Sequence, residues 1–265
     1  MLRSRVVVSL VALIAAGLAP ADDEIYASDP TRIYTFLGGG LKYSDYTNNE
    51  SMTELRLTGN WGIDYNDAVL FEVGYGWHDG DAVPGADSGV TNLRVRYFHL
   101  LPIDYDLVRG YRGMGLQFDL RFAGELKGTD GQNVLSAGAM PSFGLAPDWN
   151  LYLTAGVVGA WDKSFAKFNG AGVSVSPKFV YSPETLWPGA QFQLTPTYQY
   201  FMTGALQGDG SGEVEINIGG EFTPTIMWDL VGEVNFDKDL KTLRRGRDTG
   251  LENDWNVFFN VTTYF

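Results

Sequence analysis

The chain has 265 residues, with 19 lysines and arginines against 32 aspartates and glutamates, and a formal net charge of −13. A balance this acidic argues against nucleic acid as a partner. The chain has no cysteine, which excludes a disulfide framework.

The N-terminus has the pattern of a cleaved secretory signal peptide. Two arginines precede an apolar run over 6–18 that is too short to span a bilayer comfortably, and small residues stand before a cleavage point after Ala21. A short buried helix is the alternative interpretation. No later apolar run is long enough for a transmembrane helix. We therefore expect a signal peptide (1–21), a short N-terminal segment (22–31) and one domain (32–265).

From residue 32 onward, apolar and polar residues alternate in stretches of about ten, separated by clusters of Gly, Asp, Asn and Pro. Val214, Ile216 and Ile218, for example, alternate with Glu213, Glu215 and Asn217. A period of two predicts strands with one apolar and one polar face, and no helical period follows, so the domain is predicted to be all-β. The twelve predicted strands are 32–43, 52–62, 68–78, 90–100, 113–123, 134–144, 149–161, 172–181, 190–201, 213–222, 226–237 and 255–265.

Two architectures fit these strands, namely a soluble sandwich or barrel and an antiparallel up-and-down transmembrane β-barrel. In the soluble case the apolar face points inward, whereas in the membrane case it meets lipid and the polar face lines a lumen. Six of the seven tryptophans fall at strand ends, where the aromatic girdles of membrane barrels lie. The predicted girdle consists of Trp61, Trp77, Trp149, Trp161, Trp228, Trp255 and Phe265.

The connections and the last strand also favour the membrane barrel. One series of links is short and the alternate series is mostly longer, as in outer-membrane barrels, although the link 102–112 is long on the short side. The chain ends in WNVFFNVTTYF, which is a strand with one strongly apolar face. An even number of strands lets the first pair with the last, so that no edge is left exposed in lipid.

The signal peptide, the twelve amphipathic strands and the terminal VFFNVTTYF resemble the Gram-negative outer-membrane β-barrel proteins of the small porin or channel type. The resemblance implies a barrel in the outer membrane, in contact with its lipid and lipopolysaccharide, with residues 22–31 in the periplasm. It also implies that the barrel-assembly machinery reads the last strand. Phe265, Val261, Phe259 and Val257 match that signal, and Thr263 departs from it.

Charged residues on the inward positions are not evenly spread. The basic wall contains arginines on strands 2, 4 and 5, interleaved with Glu54, Glu72 and Asp119, and the acidic wall lies on strands 10 and 11, which carry no base at these positions. In a ring of twelve strands the two walls face each other. The basic wall is Arg56, Arg94, Arg96 and Arg121, and the acidic wall is Glu213, Glu215, Glu221, Asp229, Glu233 and Asp237.

This pattern predicts a water-filled channel in which a transverse field filters small polar solutes or ions. The alternative is that the same charges pair into a structural network that plugs the lumen, which would make the barrel a non-conducting structural or adhesive protein. Inward glycines such as Gly40 and Gly156 either leave space in the lumen or relieve strain in a coiled sheet.

A basic stretch in the last long loop has three possible roles. It can meet lipopolysaccharide phosphates, which suit arginine, stay solvated without a partner, or fold inward as a gate. Its residues are Lys238, Lys241, Arg244, Arg245 and Arg247.

The sequence does not predict an enzyme, a cofactor or a metal site. Neither His78 nor His99 is followed by the serine of the His-x-Ser pair found in the phospholipase barrels that this chain resembles. A lipid-modifying hydrolase that uses His78 and a cation held by Asp79 and Asp81 stays open as a third possibility.

Overall fold

The computed structural model describes residues 33–46, 49–80, 85–101, 110–127, 129, 131–183, 185–240 and 253–265, except for the side chains of Asp237, Asn253 and Asp254. The predicted signal peptide (1–21) and the segment 22–31 lie outside these residues. Within the described ranges, no helix is both long enough and apolar enough to cross a membrane.

Twelve antiparallel strands form one closed barrel, as the alternating pattern predicts. Each strand pairs with its neighbours in the sequence, and the first pairs with the last. The strands are β1 (Phe36–Tyr46), β2 (Ser51–Gly62), β3 (Asp67–Asp79), β4 (Ser88–Leu101), β5 (Tyr111–Phe122), β6 (Gln132–Ala146), β7 (Trp149–Asp162), β8 (Phe168–Tyr181), β9 (Gln191–Phe201), β10 (Gly210–Thr223), β11 (Ile226–Asp237) and β12 (Asn253–Tyr264).

The largest difference from the predicted bounds is in β1, which begins and ends later than the segment 32–43. Its bounds are fixed by its partners: Phe36 pairs with Tyr264 at one end, and Tyr46 pairs with Asn253 at the other. The backbone N–H of Phe265 donates to the carbonyl of Thr35 at 2.9 Å. The apolar last strand is therefore an interior member of the sheet, because closure leaves it no free edge.

The distribution of polar and apolar side chains is the inverse of that in a soluble domain. Large apolar side chains on the outer surface are exposed, such as Leu41 at 59% and Val157 at 62%, whereas charged and amide side chains inside the barrel are buried, such as Glu54, Asp119 and Asn235. Soluble proteins bury the first kind and expose the second. An apolar exterior around a polar interior is the arrangement of a transmembrane barrel.

The two ends of the barrel carry different connections. We call the end that contains Phe36 and Tyr264 the terminal end and the other the distal end. Tight turns at 147–148 and 224–225 lie at the terminal end, together with the longer segment 182–190. The alternation of short and long links therefore holds only in part, and most of the exceptional link, residues 102–109, lies outside the described residues.

The inward glycines serve close contact between strands rather than empty space. A Cβ atom on Gly40 would lie 1.9 Å from the carbonyl oxygen of Phe259, and one on Gly156 would lie 2.1 Å from that of Ala137. Both contacts are with the backbone of the neighbouring strand. Of the two interpretations left open by the sequence, strain relief in a coiled sheet fits these positions.

Candidate functional site

A central cavity of about 1060 Å³ lies inside the barrel. Its lining includes Phe36 and Tyr264 at the terminal end and Tyr46 and Phe201 at the distal end. The cavity therefore extends along the length of the strands and is the candidate solute pathway.

The centre of the basic wall is Arg94 on β4. Its Nε and Nη2 donate to the two carboxylate oxygens of Asp119 at 2.8 and 2.6 Å, and its Nη1 donates to Glu72 at 3.2 Å. A bidentate guanidinium–carboxylate pair of this kind is strong and geometrically specific. Asp119 is only 3% exposed, so the pair is held rigidly against the barrel wall.

The other arginines of the basic wall use the same carboxylates. Arg56 Nε donates to Glu54 at 2.5 Å, and the Nε atoms of Arg121 and Arg96 lie 3.4 and 3.8 Å from Asp119 Oδ2. Each of the four predicted arginines thus has a carboxylate within 4 Å. The basic wall is a paired network in which Arg121 is the most accessible member, with 48% of its side chain exposed.

The acidic wall consists of carboxylates on β10 and β11. Glu213, Glu215, Asp229 and Glu233 border the cavity, and Glu215 stands directly opposite Glu233 on the neighbouring strand. Like charges at such cross-strand positions repel each other unless a cation lies nearby. The acidic wall therefore needs positive charge from elsewhere in the lumen.

Two predicted members of the acidic wall are placed differently from these four. Glu221, at the end of β10, lies against the segment 182–190, since a Cβ atom on Gly189 would meet its Cγ at 2.3 Å. The side chain of Asp237 lies outside the described part of the chain.

Two lysines that the sequence prediction missed supply positive charge to the acidic wall. Lys42 on β1 borders the cavity and interacts electrostatically with Glu213 and Glu233. Lys178 on β8 does the same with Glu215 and Asp229. Both occupy inward positions, so the period of two contained the signal, but each is the single inward charge on its strand and does not form a cluster.

The two walls also interact across the lumen. The charge of Arg94 on β4 is felt by Glu213 and Glu215 on β10, six strands away in the ring. The sequence predicted this opposition from the strand count alone. Solutes that pass this level would experience positive charge on one side and negative charge on the other.

Leu126 and Lys127, in the link between β5 and β6, pack against the distal mouth of the barrel. Leu126 is 1% exposed and clusters with Tyr46 and Met52, and the next residue, Lys127, lies 2.7 Å from Asp87 and donates to the carbonyl of Gly80. Asp87 lies between β3 and β4, and the Lys127 ammonium lowers its pKa below the usual value. These contacts hold Leu126 and Lys127 at the distal mouth.

Most of the predicted girdle residues form two aromatic groups, one at each end of the barrel. At the terminal end Trp149 stacks on Tyr181, with ring centroids 4.6 Å apart, and Trp228 lies beside Phe222 and Trp187. Trp187 was not part of the predicted girdle. The remaining predicted girdle tryptophans are Trp61 at the terminal end and Trp77, Trp161 and Trp255 at the distal end, where each of the last three contacts another aromatic ring.

The hydrogen bonds of the described residues connect neither histidine to a nucleophilic side chain. His78 is buried, and its Nε2 lies 2.9 Å from Glu50, while His99 Nδ1 lies 2.9 Å from Asp67 near the terminal end. Among the described residues, no group of three or more His, Cys, Asp or Glu side chains is arranged to hold a metal ion. Asp81, one of the two predicted cation ligands, is outside the described ranges.

The basic loop falls almost entirely outside the described ranges. Only Lys238 of its five charged residues is described, and its carbonyl accepts a hydrogen bond from Tyr198 Oη at 3.1 Å. Its predicted contact with lipopolysaccharide thus stays a prediction.

No family profile matches the chain, and no curated protein sequence is similar to it. Solved structures match it over most of its length. The NanC porin matches with a TM-score of 0.56 at 11% identity and covers 87% of this chain and 99% of its own. An outer-membrane channel of Pseudomonas putida F1 matches at 0.55 and 11% identity, covering 94% and 100%.

The KdgM porin matches with a TM-score of 0.50 at 10% identity, covering 87% of this chain and 99% of its own. All three matched proteins are named as porins or channels rather than as enzymes. The chain therefore has the fold of the outer-membrane porins and channels.

Proposed function

We propose that the protein is a passive channel for small polar solutes or ions in the outer membrane of a Gram-negative bacterium. One observation carries the proposal: a cavity lined by charged side chains extends along a closed barrel whose exterior is apolar. Water and small polar solutes can occupy such a lumen, whereas lipid is confined to the outside.

The proposed mechanism is diffusion down a concentration gradient, with no covalent step and no cofactor. The basic wall is locally compensated by Glu54, Glu72 and Asp119. The acidic wall depends on lysines of other strands. We therefore expect the acidic wall to dominate the potential in the open lumen and to favour cations.

Single-channel conductance of the refolded full chain in a planar bilayer, measured in a salt gradient, tests this function. We expect stable stepwise currents and a reversal potential of the sign that cation preference produces. A correctly folded barrel, identified by its heat-modifiable migration in detergent, that gives no current would contradict the proposal.

A second candidate is a non-conducting barrel, because the link after β5 places Leu126 in a buried cluster with Tyr46 and Met52 at the distal mouth. Replacing Leu126 by Asp should release this segment, since a charge cannot stay between Tyr46 and Met52 without a partner. Silence from the wild type and from Leu126→Asp would favour the non-conducting barrel. Current from Leu126→Asp but not from the wild type would indicate that the wild-type barrel is a closed channel.

We also propose the partners that the resemblance implies. Lipid and lipopolysaccharide would surround the apolar exterior, and the barrel-assembly machinery would read the last strand through Phe265. Replacing Phe265 by Ala should reduce the assembled, heat-modifiable fraction in cells. The same change should not prevent refolding of the purified chain in detergent, where no machinery is present.

A further inference from the structure

The terminal half of the cavity is lined differently from its charged centre. Apolar side chains of β3, β4 and β6 line one side, and amide side chains of β9, β10 and β12 line the other. We call the first group the apolar wall and the second the amide wall. The apolar wall is Ala68, Leu70, Phe98, Leu100 and Met140, and the amide wall is Gln191, Gln193, Asn217 and Asn260.

The apolar wall is a continuous surface inside the barrel. Leu100 and Met140 meet above Gly115, where a Cβ atom would lie 3.6 Å from Leu100 Cδ2 and 3.4 Å from Met140 Cε. The guanidinium of Arg96 lies over the Phe98 ring, 5.6 Å from its centroid. Leu70, Phe98, Leu100 and Met140 are only partly buried and border the cavity. Their exposure is unusual, because the interior of a membrane barrel is normally polar.

The amide wall has its N–H donors directed toward other protein groups. Asn217 Nδ2 and Asn260 Nδ2 donate to the two oxygens of Asp229 at 3.3 and 3.0 Å, and Gln193 Nε2 donates to Gln191 Oε1 at 2.5 Å. Asn260 is only 6% exposed, and its Oδ1 has no hydrogen-bond partner among the described residues. The amide wall therefore presents amide groups to the cavity, and their oxygens can accept hydrogen bonds from hydroxyl groups.

The two walls stand opposite each other across the lumen. In a ring of twelve strands β4 faces β10 and β6 faces β12, so Phe98 and Asn217 lie on one pair of facing strands and Met140 and Asn260 lie on the other. A solute between them meets apolar surface on one side and hydrogen-bond acceptors on the other.

We infer that the terminal half of the lumen binds amphipathic solutes that combine an apolar, preferably aromatic, face with hydroxyl groups. The ring lies on the apolar wall, where its burial is favourable and Phe98 offers an aromatic contact. The hydroxyl groups donate to the oxygens of the amide wall. This inference rests on the proposed channel function and specifies a class of solute for it.

Two glucosides that differ only in their aglycone test the inference. Phenyl β-D-glucoside and methyl β-D-glucoside are both neutral and carry the same sugar hydroxyls, so that only the first presents an aromatic face. Each is titrated against the single-channel current of the wild-type barrel, and the concentration that halves the current is recorded. We expect phenyl glucoside to act at a concentration at least about tenfold lower, because it buries a ring on apolar side chains.

A double variant and a matched control assign the difference to the apolar wall. Leu70→Gln with Phe98→Gln should reduce the ratio between the glucosides to near one. Val231→Gln makes the same kind of change at another cavity-lining position, on β11, and should leave the ratio unchanged. Heat-modifiable migration verifies that each variant has folded.

The outcomes separate this inference from the proposed function. Current in the wild type with equal blocking by the two glucosides would overturn the inference and leave the channel intact. Absence of current would contradict the channel, and equilibrium dialysis of the detergent-solubilised barrel with radiolabelled glucosides would then measure the same ratio. Equal binding in dialysis, or a ratio that survives the double substitution, would overturn the inference.

Discussion

The basic and acidic walls carry comparable numbers of charges but hold them by different means. In the basic wall, Arg94 is clamped by Asp119 and Glu72 at hydrogen-bonding distance. In the acidic wall, Glu215 faces Glu233 across adjacent strands, and lysines elsewhere in the ring supply the positive charge.

The difference teaches that two charged walls on opposite sides of a pore can serve different purposes. Three carboxylates pair with the four arginines of the basic wall, so this wall contributes mainly to rigidity and leaves one formal positive charge. Four carboxylates of the acidic wall border the cavity and two lysines interact with them, which leaves two formal negative charges in the lumen. We therefore propose that the basic wall mainly supports the barrel and that the acidic wall sets ion selectivity.

The largest expected effect comes from removing the carboxylate shared by the basic wall. Asp119→Asn leaves Arg94 without its bidentate partner in a buried position, and breaking a buried pair on one side should lower the free energy of unfolding by about 3 kcal/mol. Urea titration of the barrel in detergent measures this change. Asp148→Asn, in the exposed turn between β6 and β7, is the matched control and should change stability by less than about 0.5 kcal/mol. Equal stability of the two variants would show that the basic wall is solvated rather than clamped.

The second effect concerns selectivity. Replacing Glu213, Glu215 and Glu233 together by Gln should shift the reversal potential toward anions while the barrel still folds. Three unit charges at roughly 10 Å in water are worth about 1 kcal/mol in total, which favours a cation and disfavours an anion by that amount each, so their removal should change the cation-to-anion permeability ratio by about thirtyfold. Because salt screens such charges, the shift should shrink between about 0.01 M and 1 M salt. If the selectivity does not change, the acidic wall does not select ions.

A smaller effect is expected at the accessible edge of the basic wall. Arg121→Gln removes a charge whose one carboxylate contact is 3.4 Å long and leaves the clamp on Arg94 in place. We expect a modest shift of the reversal potential toward cations and a change in stability within about 0.5 kcal/mol.

Charge reversal at Arg94 and Arg96 provides the stronger perturbation. If that reversal leaves ion selectivity unchanged, the transverse field has no role in selection.

The smallest effect extends the comparison to the distal mouth, where Lys127 reaches the exposed carboxylate of Asp87. Because the pKa of Asp87 is lowered in the folded barrel, this pair contributes fully above about pH 4 and is lost as the pH falls through the lowered value. Acidification through that range should therefore loosen the segment 123–131 and raise the conductance. Asp87→Asn should have the higher conductance already at pH 7 and lose this pH step. A step that persists in Asp87→Asn would assign it to another group.

Much of the fold could be predicted from the sequence, because the pleat of a strand is a local property. Side chains alternate between two faces regardless of what the strand pairs with. The same rule places Arg94, Arg96, Phe98 and Leu100 on one face of β4. The alternating pattern could therefore have predicted the apolar wall, but only the charged inward residues were considered.

Other features depend on how the strands are brought together. The carboxylates that clamp Arg94 come from β3 and β5, and which of their residues reach it is fixed by the register of these pairs. The burial of Leu126 and the ion pair of Lys127 depend on contacts with β1, β2 and the link after β3. None of these partners is near in sequence.

The sequence by itself determined twelve amphipathic strands, their inward and outward faces and the opposition of strands six apart, because these follow from the period of two and the strand count. Only the tertiary structure decided that the basic wall is clamped, that Lys42 and Lys178 supply charge to the acidic wall, and that an apolar wall faces an amide wall. The reason is that barrel closure and register set which inward residues share a level. Those quantities arise from all the strand pairs together rather than from any one segment.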